Sequence, residues 1–270
     1  MKQVTENVHV ETGIFACNLG LITTTAGNVL IDAPHFPTDA VKWKEEVSKK
    51  GEVKYLINTE EHPDHTDCSK FMPGIFIAHE NTREKLARIP PSEVLERVKQ
   101  ADPEGVPLAQ ECPPRLPDIT FSENMNLYLG ALTIKIFHLP GHSDGGTCVY
   151  IPEEKVVFTT DIIFHRKKSW LHEATPSYWL ESLKKISKLD VDVIVPGHGE
   201  VCTKAYLEEQ SDIIQKWVEV VRSAIDQGLS EEEAMTKITA PDPYPKQPNT
   251  PMTEEELNRA IISRLYQIYS

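Results

Sequence analysis

Over residues 8–34, VHVETGIFACNLGLITTTAGNVLIDAP, apolar and β-branched residues come in runs of a few positions broken by Gly13, Gly20 and Gly27. Such short runs with glycine breaks predict a meander of antiparallel strands. The period then changes. In TDAVKWKEEVSKKG, Ala40, Trp43 and Val47 fall on one face, Thr38 stands as a cap and Gly51 as a stop, so an amphipathic helix is predicted. VKYLIN returns to strand character, and it runs directly into NTEEHPDHTD at residues 58–67. That polar segment therefore leaves the C-terminal end of a strand, where ligands gather in α/β sheets.

After a strand at GIFIA, residues 80–118 form a charged, proline-rich stretch with two helical pieces, ENTREKLAR and PSEVLERVKQ. It reads as a lid-like insertion. Strands resume with ITF, NLYLG, LTIKIFHL, TCVYI and KVVFTTD, followed by a helix in SYWLESLKKISKL and a strand in VDVIVPG, so the second half repeats the strands-then-helix order of the first. From residue 204 the pattern is helical to 228, again over 230–238, and over 254–269 after the proline-rich PDPYPKQPNTP. The expected organisation is one domain over 1–203 with a helical extension, 204–270, packed on it.

Composition narrows the partners. The chain carries 28 Lys and Arg against 41 Asp and Glu, a formal net charge of -13. This balance disfavours nucleic acid and anionic membrane surfaces and suits a small-molecule substrate. The N-terminal MKQVTENVHVETG lacks a signal-like apolar stretch, and no run of about 18 apolar residues occurs, so a cytoplasmic location is expected. Five cysteines, at 17, 68, 112, 148 and 202, form no CxxC pair and suggest packed thiols. Cys68 follows His65 closely enough to line a site there.

Three more polar residues end apolar runs: His142 in HLPGHSDGG, Asp161 in VVFTTDIIF and His198 in VIVPGHGE. With Glu60, His62, Asp64 and His65 they make seven candidate ligands, a mixture of imidazole and carboxylate suited to zinc, iron or manganese. Seven exceed the needs of one tetrahedral ion. A two-metal site, with ions about 3.5 Å apart and a hydroxide between them, accounts for the number, and Asp161 is placed to bridge. The isolated histidines His9, His35, His79, His138, His165 and His172 read as surface or hydrogen-bonded residues.

HPDH after a strand, LPGHSDGG, FTTD and VPGHGE together resemble the metallo-β-lactamase superfamily, from the IDAP turn at 31–34 to PGHG at 196–199. The resemblance implies an αββα sandwich with a dinuclear metal site at one edge. The family's HxHxDH reads ExHxDH here. By resemblance, Glu60, His62 and His142 hold the first ion, Asp64, His65 and His198 the second, and Asp161 bridges; two divalent ions, zinc foremost and iron or manganese as alternatives, are implied. Members with this aspartate include lactonases and glyoxalase-type thioesterases, whereas true β-lactamases usually lack it, so a β-lactam is the less suited substrate.

Glu60 in place of an imidazole adds one negative charge, and the formal sum of two divalent ions, three carboxylates and a hydroxide falls from one positive to zero. A less positive site acidifies water less but leaves a stronger nucleophile, and it hardens the ligand set toward iron or manganese. The competing account makes Glu60 a surface acid beside a decayed site. Glu61, opposite it by strand alternation, is expected in solvent. The expected activity is metal-assisted hydrolysis of a lactone, thioester, ester or amide, with Asp64 as the catalytic residue that orients the nucleophile. The alternatives are a diiron redox protein and a non-catalytic metal-holding module. Arg166, Lys167 and Lys168 are read as an exposed basic turn, with a substrate-anion contact as the alternative. Trp170 and Tyr178 line the cleft or the core, and the 80–118 stretch serves as entrance cover, surface excursion or dimer contact, which leaves a homo-oligomer open.

Overall fold

The alternation over residues 8–31 becomes three antiparallel strands, Val8–Glu11, Leu19–Ile22 and Asn28–Ile31. In the computed structural model, which describes residues 1–109, 114–248, 250 and 252–270, they belong to a mixed seven-stranded sheet. Lys2–Gln3 flanks them on one side. On the other, Val53–Ile57, Ile75–His79 and Ile119–Phe121 continue the sheet in parallel. A second sheet runs in the order Val193–Val195, Val156–Phe158, Thr147–Ile151, Leu132–His138 and Asn124–Leu129. A small parallel pair joins Phe164–His165 to His198–Gly199.

Successive strand residues point to opposite faces, and each face finds its own partner. Val29 and Ile31 turn toward the second sheet and join Ile136, Val149 and Phe158 in an apolar layer between the sheets. Leu30, one residue away, turns outward with Leu56 and Phe76 onto Trp43 of the helix Pro37–Ser48. On the outer face of the second sheet, Cys148 and Ile194 pack with Trp179 of the helix Pro176–Ser187. The layers are thus helix, sheet, sheet and helix, an αββα sandwich. Gly20 sets how near the sheets come: a Cβ there would lie 2.5 Å from Phe158 Cε1 and 2.9 Å from Ile31 Cβ.

The C-terminal helices Tyr206–Asp226, Glu231–Lys237 and Glu254–Tyr269 bury Trp217, Ile261 and Leu265 in the same apolar cluster as Cys148 and Ile194. Ser230 with Glu233, and Thr253 with Glu256, form capping boxes that satisfy the first amides of the last two helices. In the 80–118 stretch the helices Glu80–Leu86 and Pro91–Ala101 bury Leu86, Val94 and Val98. Residues 110–113, with Cys112, lie outside the described residues, and Cys17, Cys68, Cys148 and Cys202 are buried. No helix among the described residues is long and apolar enough to cross a membrane.

One cap differs from expectation. Thr38 lies inside the first helix, which starts at Pro37 with Phe36 as its extended N-cap residue, because proline's fixed φ favours the first helical position. The open donors are met from across the chain: Asp102 Oδ2 accepts from the Thr38 amide at 3.1 Å and from its hydroxyl at 3.0 Å. Trp217 is fully buried. Trp217→Ala is expected to lower the unfolding free energy by about 3–5 kcal/mol in denaturant titrations. A loss below about 1 kcal/mol would separate the extension from the common core.

Candidate metal centre

The segment Asn58–His65 is pinned before any of its ligand-type side chains is considered. The Thr59 amide and hydroxyl donate to the two oxygens of Asp32 at 2.7 and 2.6 Å, and Asn58 Nδ2 donates to Asp32 Oδ1 at 2.9 Å. Thr59 O accepts from the Thr147 amide at 2.7 Å, which ties the first sheet to the second. Pro63 then opens the short helix Pro63–Thr66, which turns Asp64 and His65 back toward Glu60. His142 stands on the loop between Leu132–His138 and Thr147–Ile151, Asp161 on the 3-10 turn Thr160–Ile162, and His198 where Val193–Val195 has just ended. All seven candidate residues meet at one edge of the sandwich.

Glu60 Oε1 lies 3.0 Å from His62 Nδ1, 3.3 Å from His65 Nε2 and 3.8 Å from His142 Nε2. Asp161 Oδ1 lies 3.3 Å from His65 Nε2, and its Oδ2 lies 3.1 Å from His198 Nε2 and 3.5 Å from His142 Nε2. Asp64 Oδ2 is 3.3 Å from His198 Nε2. Two triads emerge, Glu60 with His62 and His142, and Asp64 with His65 and His198, each with its ligand atoms within 4.8 Å of one another. Glu60 is fully buried, so it is not a surface acid.

Outer partners decide which ring nitrogen faces inward. His65 Nδ1 donates to Asp32 Oδ2 at 2.9 Å and His198 Nδ1 to the Ala16 carbonyl at 3.0 Å, which leaves both Nε2 atoms for the cluster. Ser143 Oγ donates to Glu60 Oε2 at 2.9 Å, and Glu173 Oε2 lies 3.4 Å from His62 Nε2. Ala16, Asp32 and Thr160 all adopt left-handed backbone, with φ of 87°, 60° and 47°. Each adjoins the cluster, the setting in which local strain is held by surrounding contacts.

Several carboxylates this close and this dry repel one another unless positive charge lies among them. Burial opposes ionisation of Asp161, yet His198 and His65 beside it hold its carboxyl well below the usual range. Burial likewise opposes a charged His198, but Asp161 and Asp64 push its pKa up to about 10. Burial dominates at His142 and lowers it. Even so, His65 Nε2 and Asp161 Oδ1 are buried without a hydrogen-bond partner. Orphaned ligand atoms in a set of imidazoles and carboxylates fit divalent cations of the zinc, iron and manganese kind.

The cluster opens on a cavity of about 290 Å³ whose wall includes Asp64, His62 and Trp170. Several expectations change here. Glu61 is buried rather than solvated: it accepts from Lys85 Nζ at 2.5 Å and from the Gly145 amide at 3.0 Å, which fastens the His142 loop to the motif. Cys17, not Cys68, is the thiol that approaches the cluster, beside Asp32 and His65; Cys68 Sγ turns to the His35 carbonyl. Lys168 is neither exposed nor at the cavity, since it is 1% accessible and paired with Glu254 of the last helix. Tyr178 is exposed. Asp32, Ser143 and Glu173 went unread; Asp32 in IDAP and Ser143 beside His142 gave local hints, whereas Glu173 gave none. His35 and His172, read as isolated, also line the cavity.

The family model described as the metallo-beta-lactamase superfamily matches residues 12–198. The chain belongs to this superfamily. A hydroxyacylglutathione hydrolase from Brucella ovis is 39% identical over 70 residues, a stretch that is 26% of this chain and 27% of that enzyme. Among solved structures, a metallo-beta-lactamase family protein from Thermus thermophilus superposes with a TM-score of 0.71 at 17% identity, covering 98% of this chain and 94% of the other. The sec-alkyl sulfatase PisA1 gives 0.70 at 15%, over 99% of this chain and 49% of the other, and the DIM-1 metallo-beta-lactamase 0.63 at 18%, over 80% and 96%. At these identities the structures share the fold.

The Asp32 contact to His65 carries its own test. Asparagine tolerates left-handed backbone, so Asp32→Asn keeps the turn while removing the charge behind the imidazole. Affinity for zinc, measured by competition with a chromophoric chelator, is expected to fall about 10–100-fold. Unchanged affinity would detach Asp32 from metal binding.

Proposed function

We propose that the protein is a hydrolase that uses two divalent metal ions to cleave a carbonyl compound of small size. The observation that carries this reading is the pair of ligand triads with the Asp161 carboxylate reaching toward both. Glu60, His62 and His142 would hold one ion, Asp64, His65 and His198 the other, and Asp161 would lie between them. When bound, such ions supply Lewis acidity to a carbonyl oxygen and bring the pKa of water toward neutrality.

The chain's own residues do the rest. Asp64, partly open to the cavity while Glu60 and Asp161 are buried, is the carboxylate placed to orient the attacking water and take its proton. Asp32 and the Ala16 carbonyl keep His65 and His198 in the tautomers that present Nε2. Ser143 orients Glu60, whose negative charge makes this set harder than one with imidazole in its place. Lactones, thioesters, esters and amides are the substrate classes, and the 70-residue likeness to hydroxyacylglutathione hydrolase favours beginning with thioesters.

Elemental analysis of purified protein is expected to return about two divalent ions per chain. Chelation should abolish hydrolysis, and re-addition should restore it. Asp64→Ala is expected to lower kcat by about 10²–10⁴-fold; full activity with full metal content in that variant would defeat its assigned role. Glu60→His should shift loading toward zinc over iron and manganese. An identical loading preference in both proteins would remove Glu60 from the metal shell.

A further inference from the structure

Among the four ligand-type histidines, His62 alone turns Nδ1 inward: that atom lies 3.0 Å from Glu60 Oε1 and 3.2 Å from His142 Nε2. Its Nε2 faces outward, 3.4 Å from Glu173 Oε2. The two triads are therefore supported unequally. His65 and His198 each have a firm outer partner, Asp32 at 2.9 Å and the Ala16 carbonyl at 3.0 Å. In the other triad His142 Nδ1 is buried without a hydrogen-bond partner, which leaves Glu173 as the polar contact to an outer imidazole nitrogen there. For His62 to offer a lone pair on Nδ1, its proton has to sit on Nε2. A carboxylate that accepts that proton favours this tautomer, fixes the ring and makes Nδ1 the more basic ligand atom.

Glu173 reaches His62 across 111 residues of chain, on a segment that is tied at both ends. At its start the Lys168 ammonium pairs with Glu254, the Lys168 amide donates to the Pro245 carbonyl at 3.0 Å, and the Ser169 amide to Asp242 Oδ2 at 2.8 Å. At its end Arg264 Nε donates to the Ala174 carbonyl at 2.9 Å, and the Thr175 amide to the carbonyl of Gly141, the neighbour of His142, at 2.8 Å. Asp242, Pro245, Glu254 and Arg264 all belong to the C-terminal extension. A fixed backbone thus delivers a carboxylate that is itself 52% exposed, and its replacement opens no void in the core.

We propose that Glu173 is a positioning residue for His62 and thereby sets the affinity for the ion held by Glu60, His62 and His142, leaving the ion of Asp64, His65 and His198 to Asp32 and the Ala16 carbonyl. The inference rests on the two-metal part of the proposed function and not on hydrolysis.

Zinc binding to the metal-free, full-length protein tests it. Affinity is read by competition with a chromophoric chelator, and the distribution of one equivalent of zinc between the two positions by anomalous diffraction at the zinc edge. Glu173→Ala is expected to weaken the Glu60, His62 and His142 position about 10–100-fold, moving the anomalous signal toward the other position relative to the unaltered protein. Glu173→Gln keeps an oxygen to accept from Nε2 and is expected to regain part of that loss. Asp32→Asn should move the signal the opposite way. An unchanged distribution in Glu173→Ala, an equal loss at both positions, or a glutamine variant no better than alanine overturns the inference.

The two conclusions fail separately. Two bound ions, the expected shift and no turnover of any carbonyl substrate keep the inference and remove the hydrolase reading. Two bound ions, turnover and no shift do the opposite, and an unaltered protein that binds zinc at neither position overturns both.

Discussion

The carboxylate of Asp161 faces His65 through one oxygen and His142 and His198 through the other, in a buried corner at the floor of the cavity. Glu60 is equally dry, and Asp64 stands across from His198. Charges of one sign held this closely must be compensated locally, because little solvent is available to screen them. The surrounding architecture follows from that requirement. Imidazoles are brought in from three separate segments, and the outer nitrogens of His65, His198 and His62 are met by Asp32, the Ala16 carbonyl and Glu173.

Holding those side chains in register places demands on the backbone. The two sheets contribute different ligands, so the site depends on how the sheets approach. Gly20 permits the close contact with Phe158, and the hydrogen bond between Thr147 and Thr59 fixes the edge where the ligand loops leave. At Gly197 a Cβ would sit 1.8 Å from Asp161 Oδ1, so the residue before His198 has to be glycine for the carboxylate to occupy its place. Left-handed Ala16, Asp32 and Thr160 concentrate local strain around the cluster, where packing on all sides sustains it.

The parts outside the two sheets serve the cavity as well as the core. Arg97 arrives from the helix Pro91–Ala101 and closes on Asp67, just past the motif. Gln247 arrives from the C-terminal segment and donates to the Ala16 carbonyl, the same oxygen that receives His198 Nδ1. A single carbonyl thereby connects the cavity wall to a ligand-type histidine. The apolar part of the pocket wall comes from Phe15, Pro63, Phe164, Trp170 and Met252, residues outside the ligand-type set.

The sequence by itself determined the alternation that builds the strands, the helices between them and the four polar segments at strand ends, because these depend on spacing within a few residues. Glu60, His62, Asp64 and His65 were legible as a candidate group for the same reason. Long-range partners were not. Glu61 looked solvent-facing by local alternation, but Lys85 and the Gly145 amide come to meet it; Lys168 looked like part of a basic turn, but Glu254 lies over it. Thr38 looked like a cap until Asp102 supplied the acceptor. Only the tertiary structure decided such matters, since whether a polar side chain is buried depends on a charge or hydrogen-bond partner that local sequence does not contain.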